Sequence, residues 1–144
     1  MSKKVLILNG PNLNLLHIRD KQIYGSGSLD GIANDCKDLA KNLGLEIEFL
    51  QSNSEGELVD IIQKSIDNFD AIIINAAAYT HTSVAIRDAL ELFKGAKIEL
   101  HISNIFKREE FRQTSYLSDI VDAVITGLGI EGYKISLMAI NEMI

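Results

Sequence analysis

Val5-Leu6-Ile7-Leu8, closed by Asn9-Gly10, is an unbroken apolar run that stops at a turn pair. A short run with no polar alternation is what a strand buried on both faces requires. The pattern returns at Ala71-Ile72-Ile73-Ile74, closed by Asn75, and in shorter form at Ala123-Val124-Ile125-Thr126. Lys97 to Ile102 reads as a further strand. Leu45 to Leu50 alternates apolar with acidic residues, as a half-exposed or edge strand does.

Helical periodicity fills the gaps between these strands. Leu29, Ile32, Ala33, Cys36, Leu39, Ala40 and Leu43 recur on one helix face, with Gly44 as the stop. Ser54 precedes Glu57 by three residues, a capping-box spacing, ahead of a stripe of Leu58, Ile61, Ile62, Ser65, Ile66 and Phe69. Thr82 or Ser83 caps a helix carrying Ile86, Ala89, Leu90 and Phe93, which Gly95 is expected to stop. The last helix runs through Leu137 and Ile140. Strands alternating with helices imply βαβ units and a parallel sheet. Five such strands in 144 residues predict a flavodoxin-like, doubly wound, five-stranded parallel sheet in a three-layer α/β/α arrangement. With no repeat, linker or low-complexity tract, residues 1–144 read as a single domain.

In such sheets ligands bind beyond the carboxyl ends of the strands. Those ends here are Asn9-Gly10, Asn75-Ala76, His101-Ile102-Ser103 and Thr126-Gly127. Two polar connections adjoin them, Gly10 to Ser28 and Ser103 to Ser118. The first is long for a connection in a compact domain, and long connections of that kind usually carry function.

Composition narrows the function classes. Hydrophobic residues make up 47% and charged residues 24%, a globular balance. A formal net charge of −6 disfavours nucleic acid and anionic membrane surfaces as partners. No apolar run approaches the roughly 20 residues of a bilayer span. No signal-type apolar region follows Met1-Ser2-Lys3-Lys4, so a cytoplasmic location is expected. The single Cys36 excludes an internal disulfide and reads as a small buried hydrophobe.

Several motifs fail on context. Gly127-Leu128-Gly129-Ile130-Glu131-Gly132 has dinucleotide-fingerprint spacing, but only 12 residues follow it, too few for the rest of that unit. It reads instead as a strand-to-helix turn that needs small residues. A phosphoacceptor receiver domain would need acidic residues after the first strand, and a flavodoxin phosphate loop would need hydroxyls and glycines. Pro11-Asn12-Leu13-Asn14 supplies neither set. His17, His81 and His101 are too widely spaced for a local zinc motif.

Leu8-Asn9-Gly10-Pro11-Asn12-Leu13-Asn14-Leu15-Leu16 packs asparagines, a glycine and the chain's only proline around a strand end. Turn chemistry alone accounts for such a composition. Taken with Gln51-Ser52-Asn53, Glu55-Gly56-Glu57, Ala77 to Leu90, Glu99-Leu100-His101-Ile102-Ser103-Asn104 and Arg108-Glu109-Glu110-Phe111-Arg112, it resembles the type II 3-dehydroquinate dehydratases. The matching blocks keep their order from Val5 to Tyr133, nearly the whole chain.

The resemblance implies anti-elimination of water from 3-dehydroquinate to 3-dehydroshikimate through an enolate, within the shikimate pathway. It implies no cofactor, no metal, and trimers packed into dodecamers. The chemistry calls for a strong base, a donor at the enolate oxygen, an acid for the leaving hydroxyl and an anion site. Tyr24 matches the family's base. A free tyrosine, with a pKa of about 10, is mostly protonated near neutrality, and a nearby arginine favours the phenolate. Arg19, five residues earlier, matches the arginine that supplies this charge. Asn12 matches the residue that orients a water on the enolate oxygen. His101 matches the general acid, with Glu99 on the same strand face to hold it.

Asn75 matches a substrate-binding residue, and Ile102 and Ser103 match the carboxylate site. His81 and Arg112 match groups on the ring hydroxyls, and Asp88 matches a residue that reaches a neighbouring subunit's site. Arg108 is expected either to pair with Glu99 or to be a surface charge. The chain departs from the family pattern at His17, at Asp20-Lys21 where Glu-Pro is usual, at Ala76 where Pro is common, and at Gln113-Thr114. The lid thereby loses a proline's stiffness. A non-catalytic domain that binds a small anion would keep Ser103 and Arg112 but needs no reactive base. A flavin or nucleotide carrier would show itself in the absorbance of the pure protein.

Overall fold

The computed structural model describes residues 1–24 and 27–144; residues 25 and 26, inside the long first connection, lie outside the described residues. Five strands, Lys4–Asn9 (β1), Glu46–Gln51 (β2), Ala71–Asn75 (β3), Ala96–His101 (β4) and Ala123–Thr126 (β5), form one parallel sheet. Their order is β2-β1-β3-β4-β5. The helices are Lys21–Tyr24 (α1), Leu29–Leu43 (α2), Glu55–Ser65 (α3), Val84–Leu92 (α4) and Glu131–Met143 (α5).

The unbroken runs follow from a sheet covered on both sides. Val5 and Ile7 point into one core with Ile32, Cys36, Ala40, Tyr133, Leu137 and Ile140 of α2 and α5. Leu6 and Leu8 point into the other, with Leu58, Ile62, Ile86 and Leu90 of α3 and α4. Successive residues face opposite layers, so both must be apolar. β2 is an edge strand, and its Glu46 and Glu48 alternate outward as the pattern predicts. Cys36 is buried, and burial with Asp35 nearby raises its thiol to about 11, so it packs as a neutral group.

The caps follow the sequence signals. The Ser28 hydroxyl accepts from Gly31 N–H at 3.1 Å, and Gly44 ends α2 at φ 73°. The Ser54 hydroxyl accepts from Glu57 N–H at 3.2 Å. Of the two candidates for α4, Ser83 is the cap, accepting from Ile86 N–H at 2.9 Å. Gly127 and Gly129 have φ of 91° and 66°, and a Cβ on Gly132 would lie 2.8 Å from Leu100 Cδ1, so this segment is the small-residue turn expected.

Two expectations are corrected. Gly95 does not stop α4, which ends at Leu92 with Phe93 already extended at φ −78°, ψ 122°. Gly95 is needed for space, because a Cβ there would lie 2.3 Å from the Asp70 carbonyl oxygen. The third helix ends at Ser65, which leaves Ile66 outside its stripe and 37% exposed. The long first connection has local structure of its own. It contains a 3-10 turn, Leu13–Ile18, whose Leu13 and Leu16 are buried, followed by α1.

Gly95→Ala is expected to lower the melting temperature by roughly 3–10 °C, the range for overpacking a close backbone contact. Gly56→Ala, whose new Cβ would meet nothing closer than 3.9 Å, is expected to hold or slightly raise it. Equal melting temperatures for the two variants, read by calorimetry, would contradict the steric account.

Candidate active site

A cleft opens beyond the carboxyl ends of β1, β3 and β4, where the chain turns outward from β1 to β2 and returns to the other side at β3. Its free volume of about 110 Å³ is below the roughly 300–1,000 Å³ of pockets for drug-sized ligands, so it suits one small compact molecule. Asn12, Arg19, Tyr24, Asn75, His81, His101, Ile102, Ser103 and Arg112 all line it, as does Arg108.

Tyr24 is buried at the end of α1 with its phenol oxygen between two guanidinium groups. Arg19 Nη2 donates to it at 2.5 Å and Arg108 Nη1 at 2.8 Å. The Arg19 guanidinium also stacks over the ring, 4.0 Å from its centroid. Arg108 therefore does not pair with Glu99, and it is not a surface charge. Its sequence position offers no sign of this, since the contact spans 84 residues. The Asp20-Lys21 departure finds a local answer. The Asp20 carboxylate accepts from Gln22 N–H at 2.9 Å, and its carbonyl accepts from Ile23 and Tyr24 N–H. Asp20 thus caps the turn that carries Tyr24.

Asn12 sits at φ 69°, a left-handed conformation that asparagine tolerates better than most residues. Its N–H donates to Asn53 Oδ1 at 3.0 Å, and Gln51 Nε2 donates to the Gly10 carbonyl and to Asn53 Oδ1. The Gln51-Ser52-Asn53 block therefore braces the loop bearing Asn12. Gly10 has no room for a side chain, because a Cβ there would lie 2.3 Å from the Ala76 carbonyl oxygen.

His101 and Glu99 face the same side of β4. Glu99 is fully buried, and His101 Nε2 lies 2.5 Å from its Oε2. Ser115 donates to the same oxygen at 2.8 Å, and Ser118 donates to Oε1 at 2.6 Å. Burial alone would raise the Glu99 carboxyl, but bonds from His101, Ser118 and Ser115 hold it below the ordinary carboxylate value. A carboxylate only accepts, so His101 Nε2 carries a proton toward it. His101 Nδ1 has no protein partner among the described residues. Sequence reasoning missed Ser115 and Ser118; the signal available was a glutamate inside an apolar strand, which needs donors from elsewhere.

His81 stacks near His101, with centroids 6.5 Å apart and planes at 17°. Its Nδ1 lies 2.8 Å from the Thr114 carbonyl and so carries the proton, which leaves Nε2 as acceptor. Burial, opposed by the Thr114 bond and reinforced by His101 and Arg112, holds His81 below the ordinary histidine value. Arg112 Nε pairs with Glu109 at 2.9 Å. Asp88 and His17 stand apart from the residues that line this cleft, and His17 is exposed.

The family model for dehydroquinase class II matches residues 3–141. The 3-dehydroquinate dehydratase of Bordetella avium (strain 197N) is 54% identical over 138 residues, spanning 95% of this chain and 96% of that one. The 3-dehydroquinate dehydratase of Endomicrobium trichonymphae is 51% identical over 142 residues, spanning 99% and 97%. The crystal structure of type II dehydroquinase from Butyrivibrio crossotus DSM 2876 superposes with a TM-score of 0.95 at 44% identity, covering 97% of this chain and 98% of that one.

Ser118→Ala leaves one oxygen of a buried carboxylate without its donor and is expected to cost about 1–3 kcal/mol of stability near neutrality. Because Glu99 is held below its ordinary value of 4.5, that stabilisation is present above 4.5 and is lost as pH falls through the lowered folded value. The gap between wild type and variant in chemical denaturation should therefore close in acid. A gap independent of pH would contradict the assignment.

Proposed function

The chain belongs to the class II dehydroquinase family; we infer that it is a hydro-lyase dehydrating 3-dehydroquinate to 3-dehydroshikimate, and we propose Tyr24 as its base and His101 as its acid. The observation that carries the assignment is the Tyr24 phenol oxygen, which accepts from both Arg19 and Arg108 in the cleft that His101 also lines. Negative charge on that oxygen meets two cationic donors already in place, which is how a phenolate is stabilised before it reacts.

The phenolate takes a proton from the carbon next to the ketone, and the electron pair moves onto the ketone oxygen as an enolate. Asn12, fixed by Asn53, orients a water against that oxygen. The enolate reforms its carbonyl as the β-hydroxyl leaves. His101 gives that hydroxyl a proton, so it departs as water. The cationic ring is the form that can donate through Nδ1 while keeping its bond to Glu99. Turnover leaves Tyr24 protonated and His101 neutral, and one proton passed between them through solvent resets the site. Ile102 and Ser103 hold the substrate carboxylate. Arg112 and the acceptor Nε2 of His81 take the ring hydroxyls, and Asn75 contributes a further polar contact. These roles fit the elimination that the resemblance implies, a step toward aromatic amino acids.

We propose further that the chain assembles as trimers within a dodecamer, with Asp88 entering a neighbour's cleft. Its place on α4, away from its own cleft, supports this.

The product is a conjugated enone, so ultraviolet absorbance follows the reaction. Tyr24→Phe is expected to lower kcat by roughly 10²–10⁴-fold, the usual contribution of a general base. Wild-type turnover should survive chelator and borohydride. A Tyr24→Phe variant within about threefold of wild type would overturn the assignment. Co-expressing Tyr24→Phe chains with Asp88→Ala chains should restore activity above either alone if the site is shared, and no restoration would contradict the role of Asp88.

A further inference from the structure

Asn75, one of the polar residues facing the cleft, is tied at its back to a side chain far from the chemistry. Its Nδ2 donates to the Tyr133 hydroxyl at 2.9 Å. That hydroxyl donates to Asn9 Oδ1 at 2.7 Å, and Asn9 Nδ2 donates to the Leu50 carbonyl at 3.1 Å. At the other end, Asn75 Oδ1 accepts from Ala77 N–H at 3.2 Å. Tyr133 and Asn9 are fully buried and Asn75 is 3% exposed, so water cannot replace these bonds cheaply.

The chain of bonds runs in only one direction. Leu50 offers a carbonyl, which can only accept, so Asn9 must present its NH2 there and its oxygen to Tyr133. Tyr133 has one proton. Once Asn9 takes it, the phenol oxygen can only accept, and Asn75 must turn its NH2 inward. Ala77 offers an N–H, which can only donate, so it independently requires the Asn75 oxygen on its side. Both ends enforce the same sense. Burial raises the Tyr133 phenol, so it stays a neutral hydroxyl with its proton to give.

We propose that Tyr133 is a positioning residue for the reaction. Its hydroxyl fixes the rotamer and the amide sense of Asn75, so that the second Nδ2 hydrogen faces the substrate as a donor. The inference rests on Asn75 binding substrate, as set out above. Ala77 shares in the device. It lines the cleft at φ 54°, an uncommon conformation for a residue with a side chain, and its N–H is one of the bonds that hold Asn75.

Tyr133→Phe keeps the ring that packs 5.9 Å from Phe49 and removes only the hydroxyl. The test is a double-mutant cycle with Asn75→Ala, reading kcat, KM and melting temperature for each protein. In the otherwise wild-type chain, Tyr133→Phe is expected to lower kcat/KM roughly tenfold, mostly through KM, the size of one hydrogen bond lost. In the Asn75→Ala chain it should change kcat/KM by less than about twofold, while still lowering the melting temperature. An equal fall in kcat/KM in both backgrounds would show that the hydroxyl acts only on the fold, and no fall in the wild-type background would overturn the proposal outright. If Asn75→Ala alone costs nothing, it is the substrate contact of Asn75 that fails, and the positioning role falls with it. Should Tyr133→Phe not fold, Asn9→Ala, which leaves the phenol and removes its acceptor, carries the same expected KM-weighted loss and the same reading in the Asn75→Ala background.

Discussion

The phenol oxygen of Tyr24, held between two guanidinium groups, is the contact to which the site is built. Two cations converging on one neutral oxygen are costly unless negative charge resides or develops there. The arrangement is what the base proposed for Tyr24 requires, and it gives the surrounding cleft its chemistry. The two arginines come from unrelated parts of the chain. Arg19 belongs to the connection after β1, and Arg108 follows the 3-10 turn Ile105–Lys107 beyond β4. They meet because the order β2-β1-β3-β4-β5 reverses direction between β1 and β3, leaving a crevice that both connections overhang.

The opposite wall of the cleft is built on a different principle. Glu99 is a charge inside an apolar strand, made tolerable by three donors from His101, Ser115 and Ser118. The segment that supplies the serines also supplies the Thr114 carbonyl that orients His81. It is fastened to the helical layer by Tyr116 N–H on the Thr80 carbonyl and by Arg87, which bonds the Tyr116 carbonyl and pairs with Asp119. One strap thus sets both site histidines. The Tyr24 side is carried on a short helix in a connection, and the His101 side is fixed to the sheet.

The fold was legible because it rests on local rules. Val5 to Leu8 and Ala71 to Ile74 are apolar on both faces because helices cover both faces, and Ser28, Ser54 and Gly44 cap as their types require. Gly95 misled because a glycine after a helix signals either a stop or a close approach, and sequence does not separate the two. The position of each matched site residue was legible only through resemblance; spacing argued against a local zinc motif and gave no sign that His81 and His101 stack. What escaped were contacts between distant segments: Arg108 with Tyr24, Ser115 and Ser118 with Glu99, and Tyr133 with Asn9 and Asn75. In each, at least one partner is of a type that fits equally well as a surface or turn residue. The Asp20-Lys21 departure illustrates the reverse, since loss of the proline was visible and the compensating cap was not.

The most direct test of the central claim is a crystal structure of the assembled protein with a non-reacting 3-dehydroquinate analogue bound. The account predicts Tyr24 Oη within about 3.5 Å of the carbon that loses its proton, still held by both Arg19 and Arg108, and His101 Nδ1 facing the leaving hydroxyl. A bound analogue with Arg108 turned away from Tyr24 and gripping the ligand carboxylate, or with the phenol directed away from that carbon, would contradict it.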